Sequence, residues 1–156
     1  MLRYLSLALS ICLLAQADYA RADSLVATIA SWHASSHGGG DTVFNEVNPG
    51  LGYEYPVSEN HTLGFGFYDN SYNRNTDYVL DLWQPLQWTP DIGKIKFGLA
   101  MGLVSGYEGD SFEPMAVPML SYENHTWGFN LITITFPTPK LFERSVFALQ
   151  LKVNIP

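Results

Sequence analysis

Two of the four histidines of this chain lie within five residues of each other, in the stretch S-W-H-A-S-S-H at 31–37. Imidazole titrates near neutral pH, so a histidine among hydroxyl groups can act as a general base. A metal site is the alternative, but zinc needs three or four N, O or S ligands in a fixed geometry. No cysteine lies nearby, and His61 and His125 each belong to an E-N-H-T turn. We therefore expect no metal ion, and we interpret His37, which precedes three glycines, as a loop residue.

The first 22 residues have the pattern of a signal peptide. Arg3 precedes an apolar run of about eleven residues, and Ala20, Arg21 and Ala22 give the small-x-small pattern of a cleavage site. The run is too short for a membrane-spanning helix, which needs about twenty residues. The only cysteine, Cys12, lies in this segment, so we expect neither disulfide nor thiol chemistry in the mature chain. Residues 23–156 are then one exported domain.

The composition excludes one class of partner and favours one environment. Without Arg3, Arg21 and Asp18 of the predicted signal peptide, 6 of the 8 basic and 14 of the 15 acidic residues remain. Such an acidic chain is unsuited to nucleic acid, whose binding depends on neutralising phosphates. Charged residues are only 15% of the chain while aromatic residues are 14%, which is typical of a wall that faces lipid.

Apolar residues alternate with polar or small residues along most of the mature chain. In 145–155 the apolar side chains of Phe147, Leu149 and Leu151 alternate with Gln150 and Lys152. Alternation sustained over about ten residues, with turn residues between segments, predicts the strands of an antiparallel transmembrane β-barrel. Eight strands are expected, near 25–35, 44–57, 61–71, 77–88, 92–105, 112–122, 126–136 and 145–155.

A soluble eight-stranded barrel would also alternate, but with its apolar face inward. The set opposite the apolar face includes Lys94, Lys96 and Lys152, which a dry apolar interior could not hold cheaply. Aromatic residues lie toward many predicted strand ends, as the interfacial girdle of a membrane barrel requires; they are Trp32, Tyr53, Tyr55, Trp83, Trp88 and Trp127. We therefore expect a monomeric barrel in the outer membrane, with its apolar face outward.

Five short segments carry a resemblance to a known family. They are W-H-A at 32–34, F-N-E at 44–46, F-Y-D-N-S-Y-N-R at 67–74, L-W-Q-P-L at 82–86 and F-E-P-M-A-V-P-M-L at 112–120. In this order and spacing they resemble the lipid A palmitoyltransferases, the PagP-type outer-membrane acyltransferases. Members of that family show W-H-A, Y-N-E, K-D-S-W-N-K, T-W-R-P-L and a proline-rich sixth strand at similar separations. The resemblance covers nearly all of the mature chain, and it is divergent.

The resemblance implies transfer of a palmitoyl chain from a glycerophospholipid to a hydroxyl group of lipid A, without a cofactor. The family requires a His, an Asp and a Ser near the extracellular rim. The matching His is His33 and the matching Ser is Ser71. The Asp position falls on Asn70 when the segments are aligned without a gap, and on Asp69 only if one residue is inserted. An amide oxygen can also fix the tautomer of a catalytic histidine, though without a full charge.

The resemblance also implies an acyl pocket in the lumen and lateral gaps in the wall. Gly64 and Gly66 are small and expected to face inward, and Leu82 aligns with the residue at the floor of the family's pocket. Lys94 and Lys96 suit such a lumen only if they lie below that floor. Proline removes a ladder hydrogen bond, so gaps are expected at the prolines in or beside predicted strands, which are Pro49, Pro114, Pro118 and Pro137.

One further departure and two alternatives remain. Members of the family carry an amphipathic helix before the first strand, and the residues between the cleavage site and His33 are too few for one. A lipid A deacylase is also an eight-stranded barrel, and its His-x-Ser motif is matched by His33, Ala34 and Ser35, although in the first strand. A structural or adhesive barrel like the OmpA membrane domain would fill its lumen with paired charges.

Overall fold

The computed structural model describes residues 22–34, 44–107, 111–134 and 145–155. They form one closed barrel of eight antiparallel strands, in which each strand pairs with the next and the last pairs with the first. The strands are β1 Asp23–His33, β2 Val47–Pro56, β3 His61–Asp69, β4 Asn75–Trp88, β5 Lys94–Val104, β6 Glu113–Glu123, β7 Trp127–Ile134 and β8 Val146–Ile155. The predicted number and order of strands are thereby confirmed.

These ranges contain no helix, and so none that could cross a bilayer. The predicted signal peptide lies outside the described residues except for Ala22, and β1 begins directly after it. His37, Ser35 and Pro137 also lie outside them.

The two faces of the wall differ in polarity as predicted. On β8, Leu149, Leu151 and Val153 are exposed on the outside, whereas Gln150 and Lys152 are buried in the lumen. The outer surface is thus apolar and the lumen contains charged and amide groups. This is the reverse of a soluble barrel and typical of a transmembrane one.

The barrel has two unlike ends. At the turn end lie Ala22, Ile155 and the short connections 57–60, 89–93 and 124–126. At the loop end, β1 ends and β8 begins, and the connections 34–46 and 135–145 are longer. In outer-membrane barrels short turns face the periplasm and longer loops face outward. Exposed aromatic residues lie on the outer surface at both ends, with Trp32 at the loop end and Tyr55, Trp88 and Trp127 at the turn end.

Four charged side chains meet in the lumen near the turn end and are called the charge layer: Glu54, Lys96, Glu123 and Lys152. The Lys152 ammonium lies 3.1 Å from Glu54 and 3.2 Å from Glu123, and Lys96 pairs with Glu123. Each cation therefore has a carboxylate partner, as buried charges require. Between this layer and the turn end is a cavity of about 470 Å³, which Lys94 and Asp91 also line.

A chain of hydrogen bonds extends the charge layer across the lumen. Gln84 donates to Ser121 at 2.8 Å, Ser121 donates to Asn130 at 2.8 Å, and Asn130 donates to Glu54 at 2.6 Å and to Gln150 at 3.2 Å. These bonds connect β4, β6, β7, β2 and β8. Because every link is buried, the bonds strengthen one another and hold the strands at a fixed spacing.

Beyond this polar section, toward the loop end, β4 to β7 contribute an apolar cluster to the lumen, while buried polar residues such as Thr28, Ser31 and Asn48 lie on β1 and β2. The apolar cluster comprises the buried side chains of Tyr78, Leu80, Leu82, Ala100, Val104, Val117, Met119 and Ile132. Along β4, Leu82 faces the lumen directly before Gln84, so Leu82 lies where the apolar cluster meets the polar section. Lys96 therefore lies below Leu82, as an alkyl-binding lumen requires.

Candidate functional site

His33 is the last residue of β1, and its side chain faces the lumen at the loop end with only 7% of its surface exposed. Its ring stacks on Phe44, with 4.3 Å between ring centroids and 9° between planes. Its backbone N–H donates to Oε1 of Glu46 at 3.2 Å. The same carboxylate oxygen lies 3.8 Å from Nδ1 of the ring, and among the described residues the buried Nδ1 has no hydrogen-bond partner.

Ser71 lies at the same end of the barrel, in the turn between β3 and β4. Its hydroxyl is 3.4 Å from that of Ser31, which faces the lumen two residues before His33. Its carbonyl accepts the N–H of Asn45 at 2.9 Å, which ties the turn to the segment that also holds Phe44 and Glu46. The predicted His and Ser thus share one rim, while their chemical roles stay predictions.

Asn70 does not reach His33. It is fully buried, and its amide is used by the β3–β4 turn. Its nitrogen donates to Thr76 Oγ1 and to the carbonyl of Gly106, and its oxygen accepts the N–H groups of Tyr72 and Arg74. With both ends of the amide engaged in shaping this turn, no hydrogen bond remains for the imidazole. The expectation that Asn70 orients His33 is therefore corrected.

Asp69 does not reach His33 either. It is the last residue of β3, and its side chain follows the exposed parity of that strand, away from the lumen. Among the residues that the structure describes, the carboxylate in contact with the His33 ring is that of Glu46. The F-N-E segment that contains Glu46 was visible in the sequence, but its contact with His33 depends on the path of the loop after β1, which no spacing rule predicts.

Aromatic rings lead from the rim into the lumen. The Phe44 ring meets Tyr72 edge-on at 5.6 Å, and Tyr72 meets Tyr107 in the same way at 6.4 Å. The hydroxyls of Tyr107 and Tyr68 are 2.8 Å apart, and both rings pack against the apolar cluster. Burial raises the pKa of the Tyr107 hydroxyl, which lies in the loop after β5, so this group stays protonated. The site is thus continuous with the apolar cluster.

The residues predicted for an acyl pocket occupy two different places. Leu82 and Gly64 are neighbours, since a β-carbon at Gly64 would lie 3.7 Å from Leu82 Cδ1. A β-carbon at Gly66 would instead collide with the β2 backbone at Leu51 and Gly52, and next with the hydroxyl of Tyr78. Gly64 therefore lies beside Leu82 of the apolar cluster, whereas Gly66 lies against the backbone of β2.

The wall is interrupted between β6 and β7 on the loop side. Their ladder runs from Glu123 and Gly128 to Met119 and Ile132 and has no further pair among the described residues, although β6 continues to pair with β5 up to Glu113. The ladder stops next to Pro118, which has no N–H to donate. This interruption, between 113–118 on β6 and 133–134 on β7, is called the seam.

A smaller interruption lies at Pro49. The pairing of β2 with β1 skips from Gly50 to Val47, and the ladder with β3 ends at Gly50. The side-chain amide of Asn48 donates to the carbonyl of Asp69 at 2.9 Å and so replaces a backbone hydrogen bond to β3. The wall at Pro49 is therefore bridged by a side chain, whereas no such bridge crosses the seam among the described residues.

Comparison with protein-family models and with curated protein sequences finds no match for this chain. Within the described ranges, no three His, Cys, Asp or Glu residues are grouped as a metal ion would require. The site itself combines a buried imidazole beside a carboxylate, a pair of hydroxyls and an apolar cluster in the lumen.

Proposed function

We propose that this protein is an outer-membrane acyltransferase that moves a palmitoyl or similar chain from a glycerophospholipid to a hydroxyl group of lipid A. The observation that supports this most directly is the division of the lumen. On its loop side β4 to β7 contribute the apolar cluster, its turn side is closed by the charge layer, and a histidine and a serine lie at the loop-end rim. This arrangement suits one alkyl chain with its ester at the rim.

The outer surface of the barrel is consistent with this location. Exposed leucine, valine and phenylalanine side chains cover the strands, with aromatic residues near both ends. A barrel with this surface satisfies its backbone hydrogen bonds internally, which a lipid environment demands. The loop end would then face the leaflet that contains lipid A.

The seam offers an entry for the donor's acyl chain. A chain in the surrounding lipid could pass between 117–118 of β6 and 133–134 of β7 without breaking a ladder hydrogen bond between these described residues. Met115 and Val117 face the lumen there and lead to Met119. Methionine side chains are flexible and adapt to irregular partners, so they can yield to an alkyl chain that gains about 0.8 kcal/mol per buried methylene.

In the proposed reaction, His33 takes the proton of the acceptor hydroxyl while that oxygen attacks the donor's ester carbonyl carbon. The ester C–O bond then breaks, and the imidazolium returns the proton to the departing glycerol oxygen. In this mechanism the Ser71 hydroxyl donates a hydrogen bond to the carbonyl oxygen, where negative charge develops. We assign Ser71 this role rather than nucleophilic attack because no hydrogen bond joins it to the His33 ring in the described structure, as a nucleophile–base pair would need.

Mass spectrometry of lipid A from cells with and without the protein tests this function. One additional acyl chain supports the proposal. Loss of one chain would instead favour a deacylase that uses His33 and Ser35. An unchanged lipid A would favour a structural barrel, the second candidate, for which the paired charges in the lumen are the supporting observation.

A further inference from the structure

The position of Glu46 beside His33 is fixed by two separate contacts. The Glu46 carbonyl accepts the N–H of Ser31 at 3.0 Å, which holds its backbone against β1. Its side chain accepts the N–H of His33 at 3.2 Å. Glu46 therefore stays next to the end of β1 although it directly follows a long loop.

Among the described residues, Nδ1 of the imidazole lacks a hydrogen-bond acceptor, and the Glu46 carboxylate could supply one. Within the part of the chain that the structure describes, the buried Nδ1 of His33 has no partner, and an unsatisfied buried polar atom is unfavourable. Oε1 of Glu46 is 3.8 Å away, so an approach of about 1 Å would bring the pair to the usual hydrogen-bond distance. Because Phe44 stacks on the ring, the ring plane is already set.

We propose that Glu46 is the positioning residue of His33. Hydrogen-bonded to Nδ1–H, its carboxylate fixes the tautomer in which Nε2 is the free base, and it stabilises the imidazolium that forms when Nε2 takes the hydroxyl proton. This inference rests on the proposed acyl transfer, and it gives Glu46 the role that the sequence suggested for Asn70 or Asp69.

The other elements around His33 bring no competing charge in the described structure. Val146 of β8 pairs with His33, and the Ser145 carbonyl accepts the N–H of Ala34. Ser31 on the same strand contributes a hydroxyl, and the β3–β4 turn contributes that of Ser71. A change in the titration of His33 on neutralising Glu46 can therefore be attributed to that one carboxylate.

The test compares Glu46→Gln with Glu46→Asp. The Gln side chain keeps an oxygen for the His33 N–H, so the fold is retained while the charge is lost. In Glu46→Gln we expect the NMR titration of the His33 ring, assigned by its loss in His33→Asn, to move to lower pH by about 0.5 unit or more. The acidic limb of the acyl-transfer rate should move with it, kcat should fall about tenfold or more and KM should stay unchanged. In Glu46→Asp, the pH at which the His33 ring titrates should lie between the values of Glu46→Gln and the wild type.

Glu113→Gln is the matched control, since it removes one carboxylate at the loop end of β6. It should change neither the titration nor the rate. An unchanged His33 titration in Glu46→Gln, with an active wild type, would overturn the inference alone. A wild type that transfers no acyl chain would overturn the proposed function, while the His33–Glu46 pairing would be decided by the titration, which needs no turnover.

Discussion

At the scale of single residues, the chemistry of this site depends on how His33 is held. The ring stacks on Phe44 on one face, and Oε1 of Glu46 approaches Nδ1. In the proposed reaction the other ring nitrogen, Nε2, takes the proton of the acceptor hydroxyl.

Replacement of His33 by alanine should abolish acyl addition. General-base catalysis contributes about a 100- to 10,000-fold rate increase, so lipid A acylation measured by mass spectrometry should fall to background. The barrel should stay folded, as judged by its heat-modifiable mobility in gels. His61→Ala is the control, since His61 pairs with Asp81 on the outer surface near the turn end. Normal acylation by His33→Ala would exclude this residue from the mechanism.

Replacement of Leu82 by glycine should lengthen the transferred acyl chain. Leu82 closes the apolar cluster above Gln84, so its removal extends the apolar space toward Gly64. The accepted chain should gain about two to four methylenes, at a cost in barrel stability of about 2–5 kcal/mol for the deleted side chain. Leu86→Gly, on the outer surface of the same strand, should leave chain length unchanged. A chain-length distribution identical to wild type would refute the floor assignment.

The sequence predicted part of this site and missed the rest for a physical reason. The position of His33 and Ser71 at one rim was predictable from the order of the motifs and the direction of the strands, because β1 and β3 must end at the same rim. Asn70 aligned with an acidic residue of the resembling family, yet its amide satisfies turn groups that become visible only in three dimensions. The contact of Glu46 with His33 was missed because His33 lies 13 residues earlier, on the other side of a loop.

At the scale of elements, the seam is the feature with the clearest consequence. A disulfide across it should close the proposed lipid entry. If the β6–β7 register were continued, Pro118 would stand opposite Thr133. Paired cysteines at these positions should slow acyl transfer when oxidised and restore it on reduction. The only native cysteine lies in the predicted signal peptide, so no other thiol is expected to interfere.

Cysteines at Leu120 and Leu131 provide the control for this disulfide. These residues are paired in the intact part of the ladder, so a bond between them should leave the rate unchanged. Full activity with the seam disulfide formed would show that the donor enters elsewhere.

The strands themselves were predictable because alternation of apolar and polar residues is a local signal. The two clearest segments, β5 and β8, agree with their predicted bounds within two residues. The third strand was expected to reach 71 but ends at Asp69, since Asn70 turns the chain through its side-chain hydrogen bonds. The interrupted pairing at the seam could be suspected from Pro118, but its extent depends on the partner strand.

At the scale of the whole molecule, the charge layer is expected to hold the barrel together. Lys152→Met would leave Glu54 without its ammonium partner and Glu123 with Lys96 alone. Breaking a buried pair in this way costs about 3–5 kcal/mol, which should appear as a lower urea midpoint for loss of heat-modifiable mobility. Lys152→Met combined with Glu54→Gln should recover part of this loss. Equal stability of Lys152→Met and wild type would contradict the role assigned to the layer.

The closed charge layer also determines where a guest molecule can go. In the proposed function, an alkyl chain that entered the apolar cluster would meet paired charged side chains and amides at its far end, and solvating those groups with hydrocarbon is prohibitively unfavourable. The lumen would then admit a chain from the loop side alone. A lipid taken up from one leaflet would leave toward that leaflet, so the protein would exchange chains there without carrying lipid across the bilayer and without erasing the difference between its two sides.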